Sequence, residues 1–213
     1  MSDYGLITGF WRCCRQKVPF YGAFQSGFLL KARRVMGVSF SEPVLFVCSG
    51  RVQDYSSPDF GITKGIAQRG FGPNDRTLDL DPALKPDFLQ DAREPFPMTS
   101  CRWCKHDDPT PPEGGHFCKA CGFHETGWPA ILIDRPYTPE DAAHYVPGVE
   151  AFPDLSVLLK NASVAVRPGG RIGVLDYLIP SPPRELELVA LFGVMTGFQN
   201  RIRCFSVYDL ETP

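Results

Sequence analysis

The chain has 213 residues, 43% of them hydrophobic and 22% charged, with a net charge of −2. This length buries a core without disulfides, and the composition excludes general disorder. No apolar run reaches the ~18 residues of a membrane helix, and the near-neutral charge excludes a global basic field.

The opening stretch, MSDYGLITGFWRCCRQK, lacks the long apolar core of a secretory signal, so a cytoplasmic location and no membrane partner are expected. Residues 1–41 hold six basic residues against one acid, a net of +5, leaving −7 for the remainder. That asymmetry points to a polyanion near the N-terminal segment. Trp11, Phe20, Tyr21, Phe24 and Phe28 interleave with those cations. They read either as stacking surfaces for bases or as a packing face whose arginines lie along it. A helix is expected within Phe20–Met36, where apolar residues recur at helical spacing.

Short apolar runs bounded by Gly, Pro and Asp follow at 43–50 (PVLFVCSG), 76–82 (RTLDLDP), 86–97 (PDFLQDAREPFP), 128–137 (WPAILIDRPY) and 171–180 (RIGVLDYLIP). They read as buried strands. A helix is expected from Asp154 to Val166, stopped by Arg167-Pro168-Gly169-Gly170, and a single turn at Glu140–Tyr145. Leu186–Phe198 and Arg201–Tyr208 read as two strands, although the first also suits a helical period. Strands alternating with helices imply a mostly parallel sheet, with ligands beyond the carboxyl ends of its strands. Several of those ends carry acids or a glycine turn: Ser49-Gly50, Asp79 and Asp81, Asp91, and Asp134.

Eight cysteines are present, four of them as Cys101-x2-Cys104 and Cys118-x2-Cys121 with 13 residues between the pairs. Two such pairs fit a tetrahedral four-thiolate zinc site, closed and therefore structural. The segment 98–127 has almost no aliphatic residues, so metal binding would supply its folding free energy. His106, His116 and His124 lie nearby and read as surface residues, since four thiolates already fill the coordination sphere. Cys48 and Cys204 read as small buried hydrophobes. The organisation expected is a basic and aromatic segment at 1–42, a main domain at 43–97 and 128–213, and a zinc-binding insertion at 98–127.

The order of these signals resembles class I S-adenosylmethionine-dependent methyltransferases over about residues 43–208. VLFVCSG falls where that family has its glycine-containing cofactor loop, TLDLDP where an acid meets the ribose hydroxyls, and QDAREPFP where an Asp meets the adenine amine. VRPGGRIGVLDY resembles the family's helix end and fifth strand, and the last two strands resemble its reversed hairpin. The resemblance implies an α/β, Rossmann-like methyltransferase fold with a C-terminal antiparallel hairpin. It implies S-adenosylmethionine as cofactor, held by Cys48, Ser49, Gly50, Asp79, Asp81 and Asp91.

Asp134-Arg135-Pro136-Tyr137 resembles the (D/N/S)-P-P-(Y/F/W) motif of enzymes that methylate the exocyclic amine of adenine or cytosine. That likeness implies Asp134, Pro136 and Tyr137 as the catalytic set. Asp134 and the carbonyl of residue 135 would accept the two amine N–H groups, turning the lone pair toward the methyl group. Tyr137 would stack on the extruded base. The implied partner is nucleic acid, DNA ahead of RNA. Two other readings stand beside it: a methyltransferase-like module that binds without transfer, and a methyltransferase acting on a small molecule or a protein.

Overall fold

The computed structural model describes residues 5–13, 24–53, 70–99, 127–136, 153–196 and 202–210. Its strands are β1 (Ile7–Cys13), β2 (Val44–Val47), β3 (Arg76–Asp79), β4 (Phe88–Leu89), β5 (Trp128–Ile133), β6 (Val166–Asp176), β7 (Leu186–Thr196) and β8 (Ile202–Leu210). Its helices are α1 (Phe28–Val35) and α2 (Leu155–Ala165), with a 3₁₀ turn at Pro82–Leu84.

All eight strands form one sheet in the order β1-β7-β8-β6-β5-β2-β3-β4. Its ladders are parallel except those that β8 makes with β6 and β7. The central strands are buried on both faces, which is why VLFV and WPAILI read as continuous apolar runs. The period of two survives beneath that reading. Phe46 and Leu132 face one core with Phe28, Leu29, Ala32 and Met36 of the α1 region. Leu45, Val47, Ile131 and Ile133 face the other, with Leu155, Leu158, Leu159 and Ala162 of α2.

Helix α2 starts where Asp154 accepts the Ser156 N–H at 2.7 Å, as its sequence suggests. Its buried positions 155, 158, 159, 162 and 165 form one apolar stripe. The chain then passes straight into β6. Trp128 pairs with Val166 and Ala130 with Arg171, so the Arg167–Gly170 turn loops out from within the strand. The helix ends at Ala165, one residue short of the expected Val166, and the turn is instead a bulge in a strand that begins five residues earlier than the apolar run at Arg171. The ambiguous segment after Leu186 is a strand, because β8 inserts between β6 and β7 and offers each a full ladder. The single turn expected at Glu140–Tyr145 lies outside the described residues.

Within the segment 1–42, β1 joins the same sheet. Strand β1 runs parallel to β7, and Trp11 stacks on Phe192 with ring centroids 4.4 Å apart. Phe24 and Phe28 are buried in the core, so of the two readings of these aromatics the packing face holds for Trp11, Phe24 and Phe28. Arg33 is buried too, ion-paired with Asp75 and donating to the Gly70 carbonyl at 2.7 Å. Phe20 and Tyr21 lie outside the described residues. No helix among the described residues is long and apolar enough to cross a membrane.

Candidate active site

The chain runs outward from β2 to β3 and β4, then returns to the other side of β2 as β5. Strand order reverses there, and the carboxyl ends of β2 and β5 flank the crevice where such sheets bind ligands. Backbone hydrogen bonds stitch the tips together. Asp134 N–H donates to the Val47 carbonyl at 3.2 Å, Ser49 N–H to Leu78 at 3.4 Å, and Gln90 N–H to Asp79 at 3.1 Å. The loop tips that carry Cys48, Ser49, Gly50, Asp79, Asp91 and Asp134 therefore share one rim.

The turn after β2 is tight. Cys48 and Gly50 both have positive φ, 54° and 53°. A β-carbon placed on Gly50 would meet no atom of the described residues within 4 Å, so the backbone there borders open space among them. Gly50 N–H donates to one carboxylate oxygen of Asp79 at 2.9 Å, and Asp81 N–H to the other at 3.1 Å. Asp79 thus braces the glycine turn and keeps unused lone pairs. Burial pushes its carboxyl up, opposed by the N–H bonds from Asp81, Gly50 and Leu80. Asp81 is spent locally: it caps the 3₁₀ turn by accepting Ala83 N–H at 2.8 Å. Asp91 accepts both from Arg93 Nε, at 3.0 Å to each oxygen, and from its backbone N–H, and the Arg93 hydrogen bond holds its carboxyl below the usual range. Helix α2 anchors this loop from outside, with Asn161 donating to the carbonyls of Ala92, Arg93 and Glu94.

Cys48 reports the convergence electrostatically. Burial, then the charges of Asp79, Asp134 and Asp91, push its thiol far above the ordinary range, with Arg135 opposing. Among the described residues the buried Ser49 hydroxyl has no hydrogen-bond partner. An orphaned hydroxyl, a glycine bordering space and acids at adjoining tips suit a nucleoside ligand such as S-adenosylmethionine.

At the β5 tip two adjacent residues take different partners. The Asp134 carboxylate accepts from Arg203 Nη1 at 3.2 Å, and both side chains are nearly buried. Burial pushes its carboxyl up to about 7, with Arg203 pulling it down and Asp176 pushing it further up. Arg135 turns to Asp176, with Nε 2.9 Å from Oδ2, and donates to the Pro153 carbonyl at 2.9 Å. The cation in place of the motif's first proline is therefore matched by Asp176, at the end of β6. Pro136 follows in irregular backbone. Tyr137 lies outside the described residues, as do Cys101, Cys104, Cys118 and Cys121. Among the described residues no cluster of His, Cys, Asp and Glu is placed to hold a metal.

Arg203, Asp176 and Gln25 complete this rim, and none was singled out from sequence. One signal was present: an arginine inside the apolar run IRCFSV must find a partner when buried.

No family model matches the chain, and no curated protein matches it. Solved structures do. TrmN from Thermus thermophilus aligns with a TM-score of 0.54 at 16% identity, over 90% of this chain and 50% of TrmN. The chain spans about half the length of TrmN. Lower similarity is found to yhhF from Escherichia coli (TM-score 0.47, 11% identity, 99% of each chain). A TehB-like SAM-dependent methyltransferase from Corynebacterium glutamicum follows (TM-score 0.40, 14% identity, 86% of each chain). Strand order, the reversed hairpin and the likeness to TrmN together give this chain the Rossmann-like methyltransferase fold.

Proposed function

We propose that the protein is an S-adenosylmethionine-dependent methyltransferase whose acceptor is an exocyclic amine of a nucleic-acid base, DNA ahead of RNA. The observation that carries this reading is the stitching of the β2, β3, β4 and β5 tips into one rim at the strand-order reversal. Bound there, S-adenosylmethionine supplies an electrophilic methyl group on a sulfonium. Asp79 would accept the ribose hydroxyls with the lone pairs that Gly50, Asp81 and Leu80 leave unused, and Asp81 keeps its capping role. Asp91, fixed by Arg93, would accept from the adenine amine. Gly50 lets the backbone approach the methionine end.

Asp134 and the carbonyl of residue 135 accept the two N–H groups of the acceptor amine. That would aim the nitrogen lone pair at the methyl carbon, with Tyr137 as the stacking residue that the motif implies. Asp134 or water would take the surplus proton from the acceptor nitrogen. Alignment supplies most of the acceleration. The pairing of Arg135 with Asp176 supports this reading, because a compensated guanidinium does not repel a sulfonium as a bare one would.

The four-cysteine segment we assign to structural zinc, on the spacing of Cys101, Cys104, Cys118 and Cys121.

The test combines titration calorimetry with S-adenosylmethionine and S-adenosylhomocysteine and a radiolabel assay on unmethylated DNA, RNA, protein and small-molecule fractions. Binding of both nucleosides and label in nucleic acid, lost in Asp134→Ala, is the expected result. No heat at millimolar ligand overturns the cofactor assignment. Label confined to protein or small molecules overturns the acceptor class, and binding without label anywhere favours the non-catalytic module.

A further inference from the structure

The β5 tip is controlled from a distant part of the chain. Arg203 stands on β8, in register with Val194 of β7. Its buried guanidinium spans two partners: Nη1 donates to Asp134 at 3.2 Å and Nη2 to the Gln25 amide oxygen at 2.8 Å. Gln25 is itself 9% exposed and lies just before α1. A guanidinium is planar and rigid, so fixing one edge fixes the other. Gln25 therefore sets the angle from which Arg203 meets the carboxylate.

Resting on the amine-acceptor reading above, we propose that Arg203, braced by Gln25, is a positioning residue that sets the orientation of the Asp134 carboxylate toward the methyl acceptor. A carboxylate that receives an amine N–H must present a lone pair in one direction. Arg203 Nη1 fixes the Oδ1 side of that carboxylate, and with it the direction in which the group is presented. A charged acceptor is also the stronger one. The groups bearing on its ionisation come from three elements. Arg203 on β8 favours the charged form, while burial and Asp176 at the end of β6 oppose it. Cys48 at the β2 tip stays a neutral thiol. Arg135 is ion-paired with Asp176, and Arg203 stands at hydrogen-bond distance from Asp134. The Arg203 guanidinium thus bears on both the position and the ionisation of Asp134.

The experiment follows the Asp134 carboxyl by carbon-13 NMR titration of the full chain, alongside the pH profile of methyl transfer to unmethylated genomic DNA. In Arg203→Met the Asp134 titration moves up by about one pH unit or more, as loss of an adjacent opposite charge requires. The acidic limb of the kcat profile moves with it, while the S-adenosylhomocysteine dissociation constant stays within about twofold. Arg203→Lys restores most of the titration but not the fork geometry, so kcat stays about tenfold low. Gln25→Leu leaves the ion pair and is the milder variant, lowering kcat with little change in titration.

An Asp134 titration unmoved in Arg203→Met overturns the proposal, as does full kcat in Arg203→Lys and Gln25→Leu together. If S-adenosylhomocysteine fails to bind the wild-type chain, the underlying reading fails instead, and the titration still decides whether Arg203 governs Asp134.

Discussion

Arg135 donates to Asp176 at 2.9 Å, although Asp134 is its neighbour in the chain. The choice follows from topology. β6 lies beside β5, so its terminal carboxylate meets the side chain that leaves the β5 tip. Both partners are buried, with Asp176 1% exposed. Asp176→Ala strands a buried guanidinium and should cost about 3–5 kcal/mol of unfolding free energy. Adding Arg135→Leu should recover most of that loss. Urea unfolding of the two single variants and the double variant checks both statements, and strict additivity would show that the pair is not coupled.

The Asp134 carboxyl makes stability depend on pH in an uncommon direction. Its folded pKa, about 7, lies above the ordinary carboxyl range. The folded chain therefore binds more protons at this site than the unfolded chain between about pH 4 and 7, so its contribution falls as pH rises through that window. Asn carries no such term. The stability of the wild type relative to Asp134→Asn should decline across the window, by at most about 1.4 kcal/mol per pH unit. Urea midpoints at several pH values test this, and a flat difference would mean an ordinary carboxyl.

Gly50 and Gly169 separate backbone strain from ligand contact. Both have positive φ, 53° and 71°, and neither would bring a β-carbon within 4 Å of another atom of the described residues. Alanine at either position should cost roughly 1 kcal/mol from left-handed backbone. Only Gly50→Ala should weaken S-adenosylhomocysteine binding, by about tenfold, because Gly169 sits near the start of β6, at the opposite end from the rim. Equal loss of affinity in both variants would locate the ligand elsewhere.

The cysteines of the two Cys-x2-Cys pairs should hold one zinc ion per chain. Elemental analysis of the purified protein should show it, and removal by chelator should expose four additional reactive thiols. A Cys118→Ser and Cys121→Ser double variant should lose the metal. Zinc-free protein with those thiols already reactive would remove the assignment.

Local sequence determined much of the scaffold. The apolar runs of β2 and β5 declare themselves because strands buried on both faces need no polar residue. Helix α2 is legible from Asp154 at its start and one apolar stripe along its length. The acids and the glycine of the rim are legible too, since each sits at the end of its own strand or within three residues of it. Strand β1 was not legible: ITGFWRC mixes glycine and arginine with large apolar residues, and its exposed outer positions break the alternation.

The partners within the rim were decided by tertiary structure alone. Arg203 stands 69 residues from Asp134 and 178 from Gln25, and Arg135 stands 41 from Asp176. Hydrophobic periodicity reports which face of an element is buried. It carries no information about which element lies beside it, and that adjacency determines which buried charge answers which. The insertion of β8 between β6 and β7 places Arg203 against Asp134, a contact that the order of residues along the chain does not reveal.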